Sequence, residues 1–390
     1  MMRDYKGTDL KCQTTICLCM IVKNESTIIT QCLDNLIKFV DYVVVCDTGS
    51  TDGTQTIITQ YLQNNNIAGE LFEDEWKNFA HNRTIALTRS RDKATFSMVF
   101  DADDEFMCDN NEIILDPTIG TYNMKLNLGS IVYYRPILLN NKYEWMYRGV
   151  IHEYACTIDD TISVSSANLD GASIICNNIG ISSRNVDLVR KYENDRDVLL
   201  NVLVKEPANS RYMFYLGQTY ESLKDYGNAQ IYYSLCRDNS CWDEEIYYAT
   251  YRCGLCKIFT HSFKEAESYL WAAYVLRPLR LESLYEIVKH YRLHNPRIAY
   301  GFARMAYYGG LTFNIPKDAL FVNHDIYKFR MLDELAVCAY WVENFQLAYE
   351  INVKLLDIIH NDKVDLSLSR IQANLKFCSD KLQETVSKSQ

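Results

Sequence analysis

Three acids close an apolar run in SMVFDADDEF, residues 97–106: Asp101, Asp103 and Asp104. Carboxylates this close repel one another unless solvent or a cation screens them. Asp101 and Asp103 are one residue apart, and a backbone that bends just past a strand can turn both toward one ion. Hard oxygen ligands suit Mg2+ or Mn2+, cations that also bind diphosphates. The alternative is a solvated turn whose acids cap a following helix. That alternative leaves Asp47, a second acid at a strand end in DYVVVCD (41–47), as a coincidence.

Periodicity supplies the elements that would position these acids. TICLCMIV (15–22), DYVVVCD and TFSMVF (95–100) read as buried strands, and ELFEDEW (70–76) as a shorter one. Between them lie amphipathic helices. The first has apolar positions 28, 29, 32, 33, 36 and 37, with Ser26 as its expected cap. The second places Ile57, Ile58, Tyr61 and Leu62 on one face, and NFAHNRTIALTR (78–89) forms a third. This β-α-β-α-β rhythm predicts a mostly parallel, Rossmann-like sheet with helices on both faces. Ligands in such sheets sit beyond the carboxyl ends of the strands. Lys23-Asn24-Glu25, Asp47 and Asp101-Ala102-Asp103 occupy those ends and are expected to meet around one crevice.

After about residue 185 the pattern changes to Tyr, Leu and Ala at helical spacing. Ala229, Ala266, Ala299 and Ala348 are separated by 37, 33 and 49 residues. The first two intervals lie near the 34-residue tetratricopeptide period, and the third requires an insertion. YLGQTYESLKDYGNAQIYY (215–233) places Leu216, Gly217, Tyr220, Ala229 and Tyr233 on that repeat's signature positions. The fold class expected is therefore α/β plus all-α. Its parts are a tail at 1–13, a sheet domain at 14–185, a helical-repeat domain at 186–375 and a tail at 376–390. Trp242, Trp271 and Trp341 are expected in the helical core. Arg277, Arg280, Lys289 and Arg292 are expected on a solvated face.

Composition narrows the function classes. The 390 residues carry a net charge of −10 and a pI near 5.3, which argues against a nucleic-acid binder. The start reads as no secretory signal, and ICLCMIV (16–22) is far too short to span a bilayer. Fourteen scattered cysteines, mostly within apolar runs, read as buried reduced thiols and a cytoplasmic protein.

Four segments, CMIVKNES (19–26), VVVCDTGSTDGT (43–54), FAHNRTIAL (79–87) and MVFDADDEF (98–106), together resemble glycosyltransferase family 2, the inverting GT-A enzymes that use nucleotide-diphosphate sugars. A tetratricopeptide-like region behind such a domain resembles a subgroup of that family. The resemblance implies that Asp47 bonds the nucleotide base, commonly uracil, and that Arg83 lies near base and phosphates. Thr84 stands where the family usually has Asn. Asp101 and Asp103 would be the D-x-D that holds Mn2+ or Mg2+, with Asp103 the direct ligand. Asn24 and Glu25 would frame the nucleotide. MYRGVIHEY (146–154) resembles a G-x-x-H-E element in which His152 contacts metal or phosphate and Glu153 is a base. Adjacent residues on a regular strand face opposite ways, so both serve one pocket only from a loop or bulge. Asp104 is the rival base.

The expected reaction moves a sugar from a nucleotide-diphosphate donor, UDP by family expectation, to a glycan, protein or other hydroxyl acceptor. A non-catalytic nucleotide-sugar-binding scaffold and a nucleotidyltransferase are the alternatives. The second would carry a Gly-rich basic loop after the first strand, where IVKNES has no glycine. The helical half would bind the acceptor, pair two subunits as a homodimer, or brace the catalytic domain.

Overall fold

The structure, a computed structural model, describes residues 14–176, 187–362 and 364–389. The expected tail at 1–13 and the expected boundary at 185/186 lie outside the described residues. Two compact units are present, and each is treated separately.

The first unit opens with β1 (Ile16–Val22), α1 (Ile29–Leu36), β2 (Tyr42–Asp47), α2 (Thr54–Asn64), β3 (Gly69–Glu73), α3 (Phe79–Ser90) and β4 (Phe96–Val99). These strands lie in the order β3-β2-β1-β4, all parallel. Leu18, Met20, Val43, Val45, Phe96 and Met98 form one buried face with Ile29, Leu33, Leu36 and Ile58. Cys17, Cys19, Val44 and Cys46 pack on the other against Ala86 and Leu87 of α3. Burial on both faces is why these strands read as continuous apolar runs. Ser26 does not cap α1, which starts at Ile29 without a side-chain cap; the Ser26 amide instead donates to Asp52 Oδ2 at 3.0 Å.

The chain continues through β5 (Asp104–Cys108), β6 (Thr121–Leu128), β7 (Ile131–Asn140), β8 (Trp145–Arg148), β9 (Tyr154–Thr157) and β10 (Ser166–Cys176). The sheet extends beyond β4 as β7-β6-β10-β5, with antiparallel pairing of β4 to β7 and of β10 to β5. The sheet is mixed, and its second half was not anticipated from the sequence. Its strands alternate buried and half-exposed residues, a weaker signal than the apolar runs of the first half. β8 and β9 form a separate antiparallel ribbon.

The second unit is helical: α4 (Leu188–Leu203), α5 (Ser210–Ser222), α6 (Tyr226–Asn239), α7 (Asp243–Phe259), α8 (Phe263–Leu276), α9 (Glu282–His294), α10 (Pro296–Tyr308), α11 (Met331–Trp341), α12 (Phe345–Asn361) and α13 (Leu368–Ser389). Ala229, Ala266, Ala299 and Ala348 are each the fourth residue of the second helix of a pair, and all four are fully buried. A larger side chain there would push the paired helices apart. The long third interval is an insertion between α10 and α11, pinned by Arg280. This arginine bonds Glu282, Asp318 and the carbonyls of Leu320 and Phe321 at 3.0–3.1 Å. Arg280 is thus buried and paired, contrary to the solvated face expected, because Asp318 and two carbonyls of the insertion close over it beside the neighbouring Glu282. Trp242 and Trp341 are exposed, not core. Residues 376–389 continue α13, with Cys378 buried, where a tail was expected. Among the described residues no helix is long and apolar enough to cross a membrane.

Gly217 on α5 has no room for a side chain: an added Cβ would lie 2.8–3.0 Å from three ring carbons of Tyr233, itself fully buried. Gly217→Ala is expected to destabilise the helical unit by about 1–3 kcal/mol, read as a lower urea midpoint.

Candidate active site

The parallel register sets the site. Val22 is paired with Asp47, and Cys19 with Val99, so the loops after β1, β2 and β4 leave the sheet at neighbouring points. Asn24 adopts φ 56°, a left-handed conformation that Asn tolerates better than most residues. Its amide donates to Ser50 Oγ and its Oδ1 accepts from the Thr51 amide, both at 2.8 Å, while the Glu25 amide donates to Thr54 Oγ1 at 2.9 Å. The first loop is thereby stitched to the TGSTDGT loop. Asn24 frames the site through this bracing and does not line the cavity described below.

Asp47 is fully buried. Its Oδ1 accepts from the amides of Gly49 and Ser50 and from Gln55 Nε2, at 2.9, 2.8 and 3.1 Å. Its Oδ2 is buried without a hydrogen-bond partner among the described residues. Buried acceptors of this kind are uncommon and call for an explanation.

Asn78 caps α3, its side chain accepting from the His81 amide at 2.8 Å. Buried Asn82 accepts from the Lys77 amide and donates to the Glu75 carbonyl, both at 3.0 Å, which fixes the segment carrying Trp76. Trp76 packs edge-on against Phe79 with ring centroids 4.8 Å apart, and both rings remain partly exposed. One turn beyond Phe79 comes Arg83. Its Nη2 donates to Asp101 Oδ1 at 2.7 Å and its Nε to Glu153 Oε1 at 2.8 Å. Burial opposes the Arg83 cation, but Asp101, Tyr147 and Glu153 lift its pKa above the ordinary arginine range. Arg135 Nη2 lies 4.0 Å from the other Asp101 oxygen.

A cavity of about 190 Å3 opens beyond the strand ends, lined by Ile21, Val22, Lys23, Glu25, Thr48, Trp76, Phe79, Arg83, Asp101, Ala102 and Asp103. It gathers four of the sequence-derived residues: Glu25, Arg83, Asp101 and Asp103. Glu153 joins them through Arg83. Asp104 begins β5, opposite Cys176, and does not line the cavity. His152 and Glu153 lie on the loop joining β8 and β9, so they escape the opposite-face constraint of a strand. The loop includes two positive-φ residues, Gly149 (115°) and His152 (52°). A Cβ on Gly149 would approach Glu153 Cα at 3.2 Å. His152 is exposed and outside the lining.

Among the described residues no three His, Cys, Asp or Glu side chains are grouped to hold a metal, so Asp101, Asp103 and His152 do not form a cage. The donor set nevertheless fits a hard cation that takes its remaining ligands from a substrate. Local charge agrees. The Cys32 thiol is pushed up to about 12, first by burial and then by Asp101, Asp104, Asp103 and Glu25. Sequence reasoning missed Trp76, Thr48 and Arg135. Trp76 carried a usable signal, a tryptophan just ahead of a helix cap, whereas Arg135 arrives from a strand distant in sequence.

Residues 17–146 match the family model described as glycosyl transferase family 2. No curated protein matches the chain. Among solved structures, the mannosyltransferase PcManGT from Pyrobaculum calidifontis, in complex with GDP-Man and Mn2+, is 15% identical with a TM-score of 0.35. That match covers 70% of this chain and 90% of that one. S. aureus TarS is 13% identical with a TM-score of 0.33, covering 65% of this chain and 54% of TarS. YrrB, a TPR protein with an unusual peptide-binding site, is 15% identical with a TM-score of 0.34, covering 45% of this chain and 82% of that one. Carrying the assignment is the family match, whose span holds every residue that lines the cavity, while His152 and Glu153 lie just beyond it. Residues 17–146 are a glycosyltransferase family 2 domain, and the chain is a glycosyltransferase.

Proposed function

We propose that the chain transfers a sugar from a uridine-diphosphate donor to a hydroxyl-bearing acceptor, a glycan or protein, with inversion and with a divalent cation, Mn2+ or Mg2+. The observation that carries this reading is the cavity itself. Acids able to hold a cation, an arginine able to meet phosphates and a pair of exposed aromatic rings line one space at the strand ends. The unpartnered Asp47 Oδ2 suits the ring N–H of a pyrimidine base. Trp76 and Phe79 offer apolar surface to the flat or ring-shaped parts of a donor.

Asp103, supported by Asp101, would hold the cation, which when bound neutralises charge on the departing diphosphate. Asp103 is the principal ligand in this reading, as the family resemblance implies, while Asp101 is shared with Arg83 and Arg135. Arg83 faces the phosphates with the donors left after its bonds to Asp101 and Glu153. Glu153, held by Arg83, takes the acceptor's proton as the hydroxyl attacks the sugar from the side opposite the diphosphate. A single displacement inverts the configuration, through the oxocarbenium-like state common to glycosyl transfer. Asp104 remains the second candidate base. The helical unit binds the acceptor, pairs two subunits or braces the catalytic domain in this reading.

A thermal-shift screen with UDP, GDP, CDP, TDP and their common sugar conjugates, each with and without Mn2+, tests donor binding. At about 100 times its Kd the correct nucleotide stabilises the fold by ~2.7 kcal/mol. Asp103→Ala should lose the Mn2+-dependent part of that shift while its melting temperature without ligand stays near wild type. An unaltered shift would remove Asp103 from metal binding. Glu153→Gln should bind donor normally and lose about 100-fold or more in turnover, measured as nucleoside diphosphate release. Near-normal release would transfer the base role to Asp104.

A further inference from the structure

The ribbon that delivers Glu153 is fastened to α3 by consecutive residues. Arg83 holds the Glu153 side chain. Thr84 holds the backbone: its hydroxyl donates to the Ala80 carbonyl at 2.7 Å and accepts the Tyr147 amide at 2.9 Å. Donation back into its own helix fixes the rotor, which leaves a lone pair directed at the strand. Tyr147 sits on β8, where it pairs with Ala155 of β9, so this amide reaches the helix from within a hydrogen-bonded ribbon. The Tyr147 ring in turn lies 5.8 Å from the Arg83 guanidinium.

Between β8 and β9 run only Gly149 to Glu153, with Gly149 and His152 at positive φ. A loop this short, already committed to two left-handed residues and with Gly149 close against Glu153 Cα, has little slack. A displacement of β8 along α3 therefore passes to Glu153 instead of being absorbed. The Thr84 bond is what fixes that displacement.

We propose that Thr84 is a positioning residue for the reaction: its hydroxyl seats the β8–β9 ribbon on α3 so that Glu153 meets Arg83 and faces the acceptor. The proposal rests on the glycosyl-transfer reading, in which Glu153 takes the acceptor's proton. It also separates two functions of one helix turn. Arg83 touches the donor side of the cavity, whereas Thr84, outside the lining, acts only through the ribbon.

The test compares wild type, Thr84→Val, which keeps the shape and removes the hydroxyl, and Thr84→Ser, which keeps the hydroxyl. Hydrogen exchange is followed across residues 145–157, donor affinity by titration with UDP and Mn2+, and turnover as UDP release from UDP-GlcNAc, with GDP-mannose as the second donor probe. In Thr84→Val the Tyr147 amide should exchange faster, the nucleotide Kd should stay unchanged, and kcat should fall about tenfold. Thr84→Ser should restore both exchange and kcat. Unchanged exchange or unchanged kcat in Thr84→Val overturns the proposal. So does a parallel loss of affinity, kcat and melting temperature in both variants, which would mark a merely structural residue. Failure of the wild type to release nucleotide from any sugar donor would sink the glycosyl-transfer reading instead, and the exchange data would then decide whether Thr84 seats the ribbon.

Discussion

One arginine ties the first unit's candidate site together. Arg83 comes from a helix, Asp101 from the end of a central strand and Glu153 from a ribbon loop some fifty residues further on, and the guanidinium bonds both acids at 2.7–2.8 Å. The three side chains are mostly shielded from water. A buried ion pair gains little over an apolar replacement, but removing one partner leaves a stranded charge and costs about 3–5 kcal/mol. Here removal of Arg83 would take that partner from Glu153 and leave Asp101 with Arg135 at 4.0 Å. Three elements distant in sequence are thus held to a common position by a planar group with fixed donor directions.

That constraint also shapes where the acids lie. Asp101 faces Arg83 through one oxygen and Arg135 through the other. Asp103 lines the same cavity as Asp101. The parallel sheet makes this placement reproducible. Its register fixes where β1, β2 and β4 end, and the bonds among Asn24, Ser50, Thr51 and Thr54 stiffen the loops that leave it.

What the sequence made legible, and what it did not, follows from the range of the interactions involved. The strands Ile16–Val22 and Tyr42–Asp47 are buried on both faces and therefore spell themselves as apolar runs. The strand-end places of Asp47, Asp101 and Asp103 and the helical place of Arg83 were readable because residue type and place in a local element coincide. The buried alanines of the helical unit were readable as a spacing. The second half of the sheet, where β6 and β10 pair in parallel and β5 and β10 antiparallel, was not, since much of it is half-exposed and owes its pairing to partners far along the chain. Ser26 failed as a cap because Asp52, brought in by the neighbouring loop, captures its amide. Arg280 was misread as solvated because Asp318 and the carbonyls that enclose it arrive from an insertion nearly forty residues away. Thr84, read only as a departure from a family pattern, accepts a bond from a strand that local periodicity could not place against it.

The two candidate bases are separated by the same geometry. A base must reach the proton it takes, directly or through one water. Asp104 begins a strand paired to β10, and its charge is felt by Cys176 and Tyr133 as well as by Cys32, beside the cavity's acids. The Cys176 thiol is pushed up to about 11, first by burial and then by Asp104. Asp104 is one residue beyond the cavity's acids, but its place is set by sheet pairing. Glu153 is set by a loop that ends on Arg83, a residue of the cavity wall, and only one of its oxygens is engaged there. An acid positioned by the wall, with an oxygen left for a substrate, suits proton transfer better than an acid positioned by the sheet. Glu153 is accordingly the stronger choice, and the short loop between β8 and β9 is where the acceptor's hydroxyl would arrive.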